Sequence, residues 1–113
     1  MARIRQPIFP SSFLPLLQKD NIKLRKFTSP KAFETVLLTF LKEQHVLHLC
    51  TCKDNVPRAT PLEYRLHGLT FYILSEGGGK FNNLKVNKKV AFSIAAPYDS
   101  NKDFWGSRGV QAW

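Results

Sequence analysis

The stretch Leu69–Leu84, LTFYILSEGGGKFNNL, indicates the fold of this 113-residue chain. It opens with residues that favour β-strands, and three consecutive glycines then allow positive φ angles and close backbone approach. A lysine and two asparagines follow, where a short helix is predicted to begin. Because amide groups point outward at a helix start, the loop and Lys80 together predict a phosphate site. The alternative for this stretch alone is a hairpin tip with one solvated lysine.

The remaining sequence predicts one longer helix and an antiparallel meander. Ser29 and Pro30 are typical of a helix start, as N-cap and first helical residue. Apolar residues at i, i+3, i+4, i+7 and i+8 extend that helix to about Gln44. We predict strands at 46–52, 57–66, 69–75, 90–96 and 108–113, and a short helix at about 80–86. The short turns favour a small closed barrel over βαβ units, which need a long helix between strands.

The charge is unevenly distributed along the chain. The net charge is +9, and the first 31 residues hold seven Lys and Arg against one Asp. Residues 1–28 show no sustained hydrophobic period, so we predict a basic N-terminal arm (1–28) and a folded domain (29–113). The arm has Phe9, Phe13 and Phe27 among its cations, a pattern that permits contact with nucleic acid. An anionic membrane, an acidic partner protein or a solvated extension are the alternatives.

Composition also indicates the compartment. No apolar run approaches the ~20 residues that cross a bilayer. The apolar run that begins at Ile8 is interrupted by prolines and lacks a small-residue cleavage site, so we expect no secretion signal. Cys50 and Cys52, one residue apart, rarely bond to each other on a strand. Reduced thiols and a cytoplasmic location are therefore predicted.

Few residues indicate catalysis. His48, Cys50 and Cys52 share one face of a strand, but zinc sites usually draw ligand pairs from two separate segments, so no metal site is predicted. Arg58 and Thr60 lie two residues apart on the next strand, where a guanidinium and a hydroxyl can contact one phosphate. Pro61 interrupts the ladder of that strand and favours an edge or a place where something other than a strand packs.

Three segments in order resemble the FMN-binding split-barrel family that is related to pyridoxamine 5′-phosphate oxidase. VLHLCTCKDNVPRATPLEY (46–64) is similar to the opening hairpin of the family. LTFYILSEGGGKFNNLKVNKKVAFSI (69–94) is similar to its third strand, phosphate loop, short helix and fourth strand. GSRGVQAW (106–113) resembles the start of its Gln-bearing strand. The resemblance covers about residues 36–113.

This resemblance implies a mainly β fold with flanking helices, a six-stranded antiparallel split β-barrel. It implies a homodimer with FMN at the interface. Arg58 and Lys80 would hold the phosphate, and Asn83 would cap the loop. The remaining implied cofactor contacts are Ala59, Thr60 and Pro61 along the flavin, Leu74 and Ser75 beside the phosphate, Gly79 in the loop, and Gln111 from a neighbouring strand or subunit.

The sequence also departs from the family. Three glycines replace side chains that donate to phosphate in many relatives, and the substrate-binding Arg/His signature of the oxidase itself is missing. Relatives continue beyond the last strand, so we expect a barrel that is incomplete at the C-terminal end. The resemblance implies a flavin-dependent oxidoreductase, with transfer at the flavin N5, whose substrate and catalytic residues are not identified. The alternative is a non-catalytic module: a carrier of haem (axial ligands His45, His48 or His67) or another cofactor, or a nucleic-acid or protein binder that uses the arm.

Overall fold

The structure is a computed structural model that describes residues 3–5, 11–21, 27–103 and 107–113. Its contacts divide the chain into two compact units, Met1–Leu37 (unit 1) and Leu38–Trp113 (unit 2). Phe9, one of the aromatic residues of the predicted arm, lies outside the described residues, as do several of its cations. Within the described part, no helix is long and apolar enough to cross a membrane.

Unit 1 contains more helix than the sequence indicates. A single 3₁₀ turn, Ser11–Phe13, leads into α1, Leu14–Lys19. Pro15 lies in the first turn of α1, where a missing amide hydrogen costs nothing. A helix of only six residues spans too few turns to show a hydrophobic period, so the pattern of residues 1–28 did not reveal it.

The longer helix, α2, spans Pro30–Glu43, close to its predicted bounds. The prediction of Ser29 as N-cap is confirmed, because its hydroxyl oxygen accepts a hydrogen bond from the Ala32 amide at 3.1 Å. Proline at the next position cannot donate and loses nothing there. Phe40 and Leu41, near the C-terminal end of α2, are buried and belong to the core of unit 2.

Unit 2 is an antiparallel sheet, as predicted, and the structure has five strands and one further helix. The elements are β1 (Val46–Lys53), β2 (Val56–His67), β3 (Thr70–Ile73), α3 (Gly79–Val86), β4 (Ala91–Ala95) and β5 (Gly109–Ala112). The strand order is β3-β2-β1-β4-β5. Predicted and observed strands agree except for a few terminal residues, and the third strand ends two residues early, at Ile73.

The β1–β2 hairpin fixes the register of the sheet. Its two-residue turn is Asp54-Asn55, with φ angles of 52° and 60°. Positive φ at both positions is the geometry that suits the right-handed twist of the flanking strands, and Asp and Asn tolerate it better than most residues. Val46 pairs with Glu63 at the far end of this ladder, and β2 then continues alone to pair with β3.

The two faces of the sheet differ in burial. On β1, Leu47, Leu49 and Thr51 point to the covered face and are buried. His48 and Cys50 point to the opposite, open face and are exposed. Cross-strand partners share a face, so the register assigns every other strand residue to one of these two faces.

The sheet is strongly curled although its edges do not pair. The rings of Phe71 on β3 and Phe92 on β4 lie 4.8 Å apart at their centroids, and Tyr64 lies 5.2 Å from Phe71. In a flat sheet, β3 and β4 would be about 14 Å apart, because β2 and β1 lie between them. Among the described residues β3 and β5 form open edges, so the closed barrel predicted from the short turns is not observed.

Candidate functional site

Arg58 lies directly against the glycine loop. It is on the covered face of β2, opposite Thr51. A Cβ added at Gly79 would stand 2.8 Å from Nη1 of Arg58 and 3.2 Å from its Cζ. The guanidinium therefore occupies the space that any larger residue at position 79 would need. This contact brings together two segments that are far apart in the sequence.

The loop itself encloses the second cation. Gly77 and Gly78 have φ angles of 118° and 106°, which residues with a Cβ rarely adopt. This backbone path places the Gly77 carbonyl where the Lys80 ammonium donates a hydrogen bond to it. Lys80 is buried, and its ammonium also lies 5.4 Å from the centroid of the Phe81 ring. The lysine is thus held inside the loop, whereas a solvated hairpin tip would leave it exposed.

Two asparagines fix α3, which carries this lysine, to β1. The side-chain amide of Asn83 donates to Thr51 Oγ1 at 3.0 Å, and the side-chain amide of Asn87 donates to the Cys52 backbone carbonyl at 3.0 Å. Asn83 therefore ties the helix to the sheet. The N-cap of α3 is Gly78, which has no side-chain hydrogen bond, so the amides at the start of the helix are not capped by a side chain.

An open groove of about 420 Å³ lies between the β1–β2 turn and α3. This volume falls within the usual range of small-molecule sites. Its lining includes three residues that the sequence predicted, Arg58, Gly79 and Asn83. The other lining residues are Lys53, Asp54, Val56, Pro57 and Asn82.

The electrostatics of the groove favour an anion. Within the described residues neither Arg58 nor Lys80 forms an ion pair with a carboxylate. Lys53 is the second cation of the groove lining after Arg58, and Asp54 is the one carboxylate there. Lys80 lies buried in the adjacent loop and is not part of the lining. A guanidinium, an ammonium and glycine-loop amides are the groups that proteins use to hold phosphate. Lys53 and Asn82 were missed in the sequence analysis; their position beside a hairpin turn and a helix start is the signal that could have indicated them.

The other predicted site residues lie elsewhere on the sheet. Thr60 is half-buried on the same face as Arg58. Ala59 and Pro61 are exposed on the open face. Gln111, on β5, is also on the open face, in one cross-strand row with Ser93, His48 and Pro61. Leu74 and Ser75 follow the end of β3, where Leu74 is 84% exposed.

The structure thus brings Arg58 to the glycine loop that holds Lys80. Of the predicted ring contacts on β2, Thr60 shares the face of Arg58, whereas Ala59 and Pro61 lie on the other face. The groove lining includes residues from both faces of β2: Arg58 from the covered face, and Pro57, which pairs with Cys52 on the open face. Ala59 and Pro61 follow Pro57 at every second residue along β2.

The histidines and cysteines do not converge. Cys50 and Cys52 are both free thiols, as predicted. No group of three or more His, Cys, Asp or Glu side chains in the described part of the chain could hold a metal ion. His45, His48 and His67, the candidate haem ligands, all lie exposed, before β1, in the middle of β1 and at the end of β2.

Comparison with known proteins identified no relative of this chain. A scan against models of protein families, a search of curated proteins and a search of solved structures each found no match.

Proposed function

We propose that this chain binds FMN, with the phosphate in the groove between the β1–β2 turn and α3. The observation that carries the proposal is the contact of the Arg58 guanidinium with Gly79, beside the buried Lys80. Two cations from distant segments meet on a glycine loop, and neither has a carboxylate partner within the described residues. A phosphate dianion supplies the charge that such an arrangement lacks.

The donor set fits a phosphate monoester. Arg58 offers a planar fork of N–H donors from the sheet side of the groove, and the loop offers backbone amides beside Gly79. Lys80 donates to the Gly77 carbonyl and so holds the loop, while its charge adds to the field. Asn83 keeps α3 in place through Thr51. Thr60, half-buried on the same face as Arg58, is a further hydroxyl donor.

The open face fits a planar ring. Ala59 and Pro61 present small side chains there, and the Cα partners of Cys50 on either side are Ala59 and Ala91. These small side chains leave room for a ring on the open face at the centre of the sheet. When bound, FMN would supply hydride or electron transfer at N5. The protein would hold its phosphate, orient its ring and exclude water from one side of it.

We further propose a flavin-dependent oxidoreductase of the pyridoxamine 5′-phosphate oxidase-like class, a split barrel that forms a cytoplasmic homodimer. The curl of the sheet supports the barrel, because Phe71 and Phe92 meet across two intervening strands. Gln111, exposed on the open face of the edge strand β5, is available to a flavin that a second subunit holds.

The test compares FMN with riboflavin, which has the same ring and no phosphate. We expect FMN to bind at least about 100-fold more tightly, since two charged hydrogen-bonding groups each contribute about 1.5–3 kcal/mol. Arg58→Ala and Lys80→Ala should remove most of that preference and leave riboflavin binding unchanged. Arg3→Ala, which removes a cation of unit 1, is the control. Equal affinity for the two flavins, or an equal loss from the control, would overturn the proposal.

A further inference from the structure

We propose that the outward side of α3, with the turn after it, is a docking surface for anionic membrane lipids. This surface, called the α3 patch, comprises six exposed residues: Val56, Phe81, Lys85, Val86, Lys88 and Lys89. None of them is among the proposed phosphate ligands. Val56 also lines the groove, so the patch adjoins the proposed flavin site, but lipid binding does not require FMN and can hold or fail without it.

Hydrogen bonds bring the α3 patch to one end of unit 2. The Asn87 amide donates to the Cys52 carbonyl at 3.0 Å, next to the β1–β2 turn. Cys52 pairs with Pro57, the neighbour of Val56, so the hairpin and the end of α3 lie side by side. The Lys89 amide donates to Asn87 Oδ1 at 3.0 Å and fixes the turn that carries the last two lysines.

The apolar residues of the α3 patch are far more exposed to solvent than residues of a hydrophobic core are. Val56 is 66% exposed, Val86 64% and Phe81 42%. Single exposed apolar residues are ordinary, but three at one end of a small unit, surrounded by cations, indicate a surface that is covered by something apolar. Valine has no ring to stack on a base and no polar group to bond it, so nucleic acid would leave the two valines unused.

The charge of the patch points to an anionic layer. Residues 79–89 contain four lysines and no Asp or Glu. Lys80 lies inside the glycine loop, and the other three are exposed. Asp54 lines the neighbouring groove and offsets one of these charges. Lysines beside valine and phenylalanine match an interfacial site, because lysine stems lie along apolar surface while their ammonium groups reach anionic headgroups.

The first test measures partition of the full chain, without FMN, onto vesicles of phosphatidylcholine with or without phosphatidylserine. Binding should require phosphatidylserine and weaken as salt is raised. The triple variant K85Q/K88Q/K89Q should bind about 100-fold more weakly, at about fivefold for each lysine. The matched control R3Q/K19Q/K31Q removes the same charge from unit 1 and should have a much smaller effect. Equal losses from both triples would overturn the proposal, since binding would then follow net charge alone.

The second test distinguishes lipid binding from binding to other polyanions, with variants that leave the net charge of the protein unchanged. Phe81→Ser with Val86→Ser should weaken vesicle binding about 10-fold or more, since apolar area would no longer be buried. Val46→Ser, at an exposed valine on the open sheet face, is the control and should leave binding unchanged. A single-stranded RNA oligonucleotide is titrated in parallel. The proposal would be overturned if the chain bound RNA but not phosphatidylserine vesicles. It would also be overturned if the substitutions at Phe81 and Val86 left vesicle binding unchanged.

Discussion

The guanidinium of Arg58 fills the space above the Cα of Gly79, 2.8 Å from where a Cβ would stand. Position 79 is therefore restricted by a neighbouring side chain, whereas Gly77 and Gly78 are restricted by their positive φ angles. We expect Gly79→Ala to push Arg58 out of the groove and to weaken FMN binding by about 10-fold, equivalent to 1.4 kcal/mol. Fluorescence titration of FMN measures the change.

A double-mutant cycle tests whether that effect passes through Arg58. In the Arg58→Ala background, Gly79→Ala should cost little further affinity, because the displaced group is already gone. Additive losses would show that the alanine acts on the loop backbone and that the contact with Arg58 is incidental.

Lys80 is expected to matter for both the loop and the ligand. Lys80→Met keeps most of the apolar stem and removes the ammonium that donates to the Gly77 carbonyl. FMN affinity should fall at least about 10-fold, because a charged donor contributes about 1.5–3 kcal/mol, and riboflavin affinity should stay the same. Lys85→Met, on the exposed side of the same helix, is the control. A similar FMN loss from both variants would contradict a specific role for Lys80.

The bond between Asn83 and Thr51 should hold α3 on the sheet. Asn83→Ala leaves the buried Thr51 hydroxyl without its partner, so we expect the free energy of unfolding to fall by about 1–2 kcal/mol. Chemical denaturation of the Asn83→Ala and Thr51→Val single variants and the double variant gives the coupling energy. If the two single losses simply add, the hydrogen bond does not contribute.

Tyr64 links the sheet to the end of α2. Its hydroxyl donates to the Leu41 carbonyl at 2.5 Å, and Tyr64→Phe should lower the free energy of unfolding at pH 7 by about 1 kcal/mol. Tyr72→Phe, at an exposed tyrosine, is the control and should change little.

The same tyrosine predicts a dependence on alkaline pH. Burial raises the pKa of Tyr64 above its ordinary 10.0, because the folded state disfavours the charged phenolate. Its contribution to stability is therefore complete below pH 10 and is lost as the pH rises through the higher folded pKa. Unfolding curves measured across this range should show a smaller decline for Tyr64→Phe than for the unchanged chain. An identical decline would mean that Tyr64 does not cause it.

The sequence predicted those parts of the fold that depend on neighbours in the chain. Ser29 and Pro30 define a helix start through local hydrogen bonding, and Asp54-Asn55 defines a two-residue turn through backbone preference. Alternation along β1 placed His48, Cys50 and Cys52 on one face, but only the structure shows that the opposite face, with Leu47 and Leu49, is the buried one. The α1 helix was missed because six residues show no period. The order of the strands and the open edges depend on contacts between distant segments, which no local pattern contains.

The candidate site was predicted in part for the same reason. Arg58 was identified by residue type and by Thr60 two residues further on, and Lys80 by the glycines before it. The structure brings both to one loop. Lys53 joins the groove only because the hairpin folds toward α3, so its proximity could not be read from its neighbours in the sequence. The resemblance implied that Asn83 caps the loop; Asn83 lines the groove with Gly79 and also bonds Thr51, a partner 32 positions away that the sequence did not indicate.

The ring contact between Phe71 and Phe92 has a mechanical consequence for the sheet. Backbone ladders join neighbouring strands, and these ladders resist stretching strongly. Two rings that meet edge to face join β3 to β4 across the covered face, and contacts of this kind yield under much smaller forces. The curl of the sheet in unit 2 is therefore held by a contact between aromatic side chains, which deforms more easily than the backbone hydrogen bonds between strands. A smaller side chain at either position would let the sheet relax toward a flatter shape while every strand kept its register.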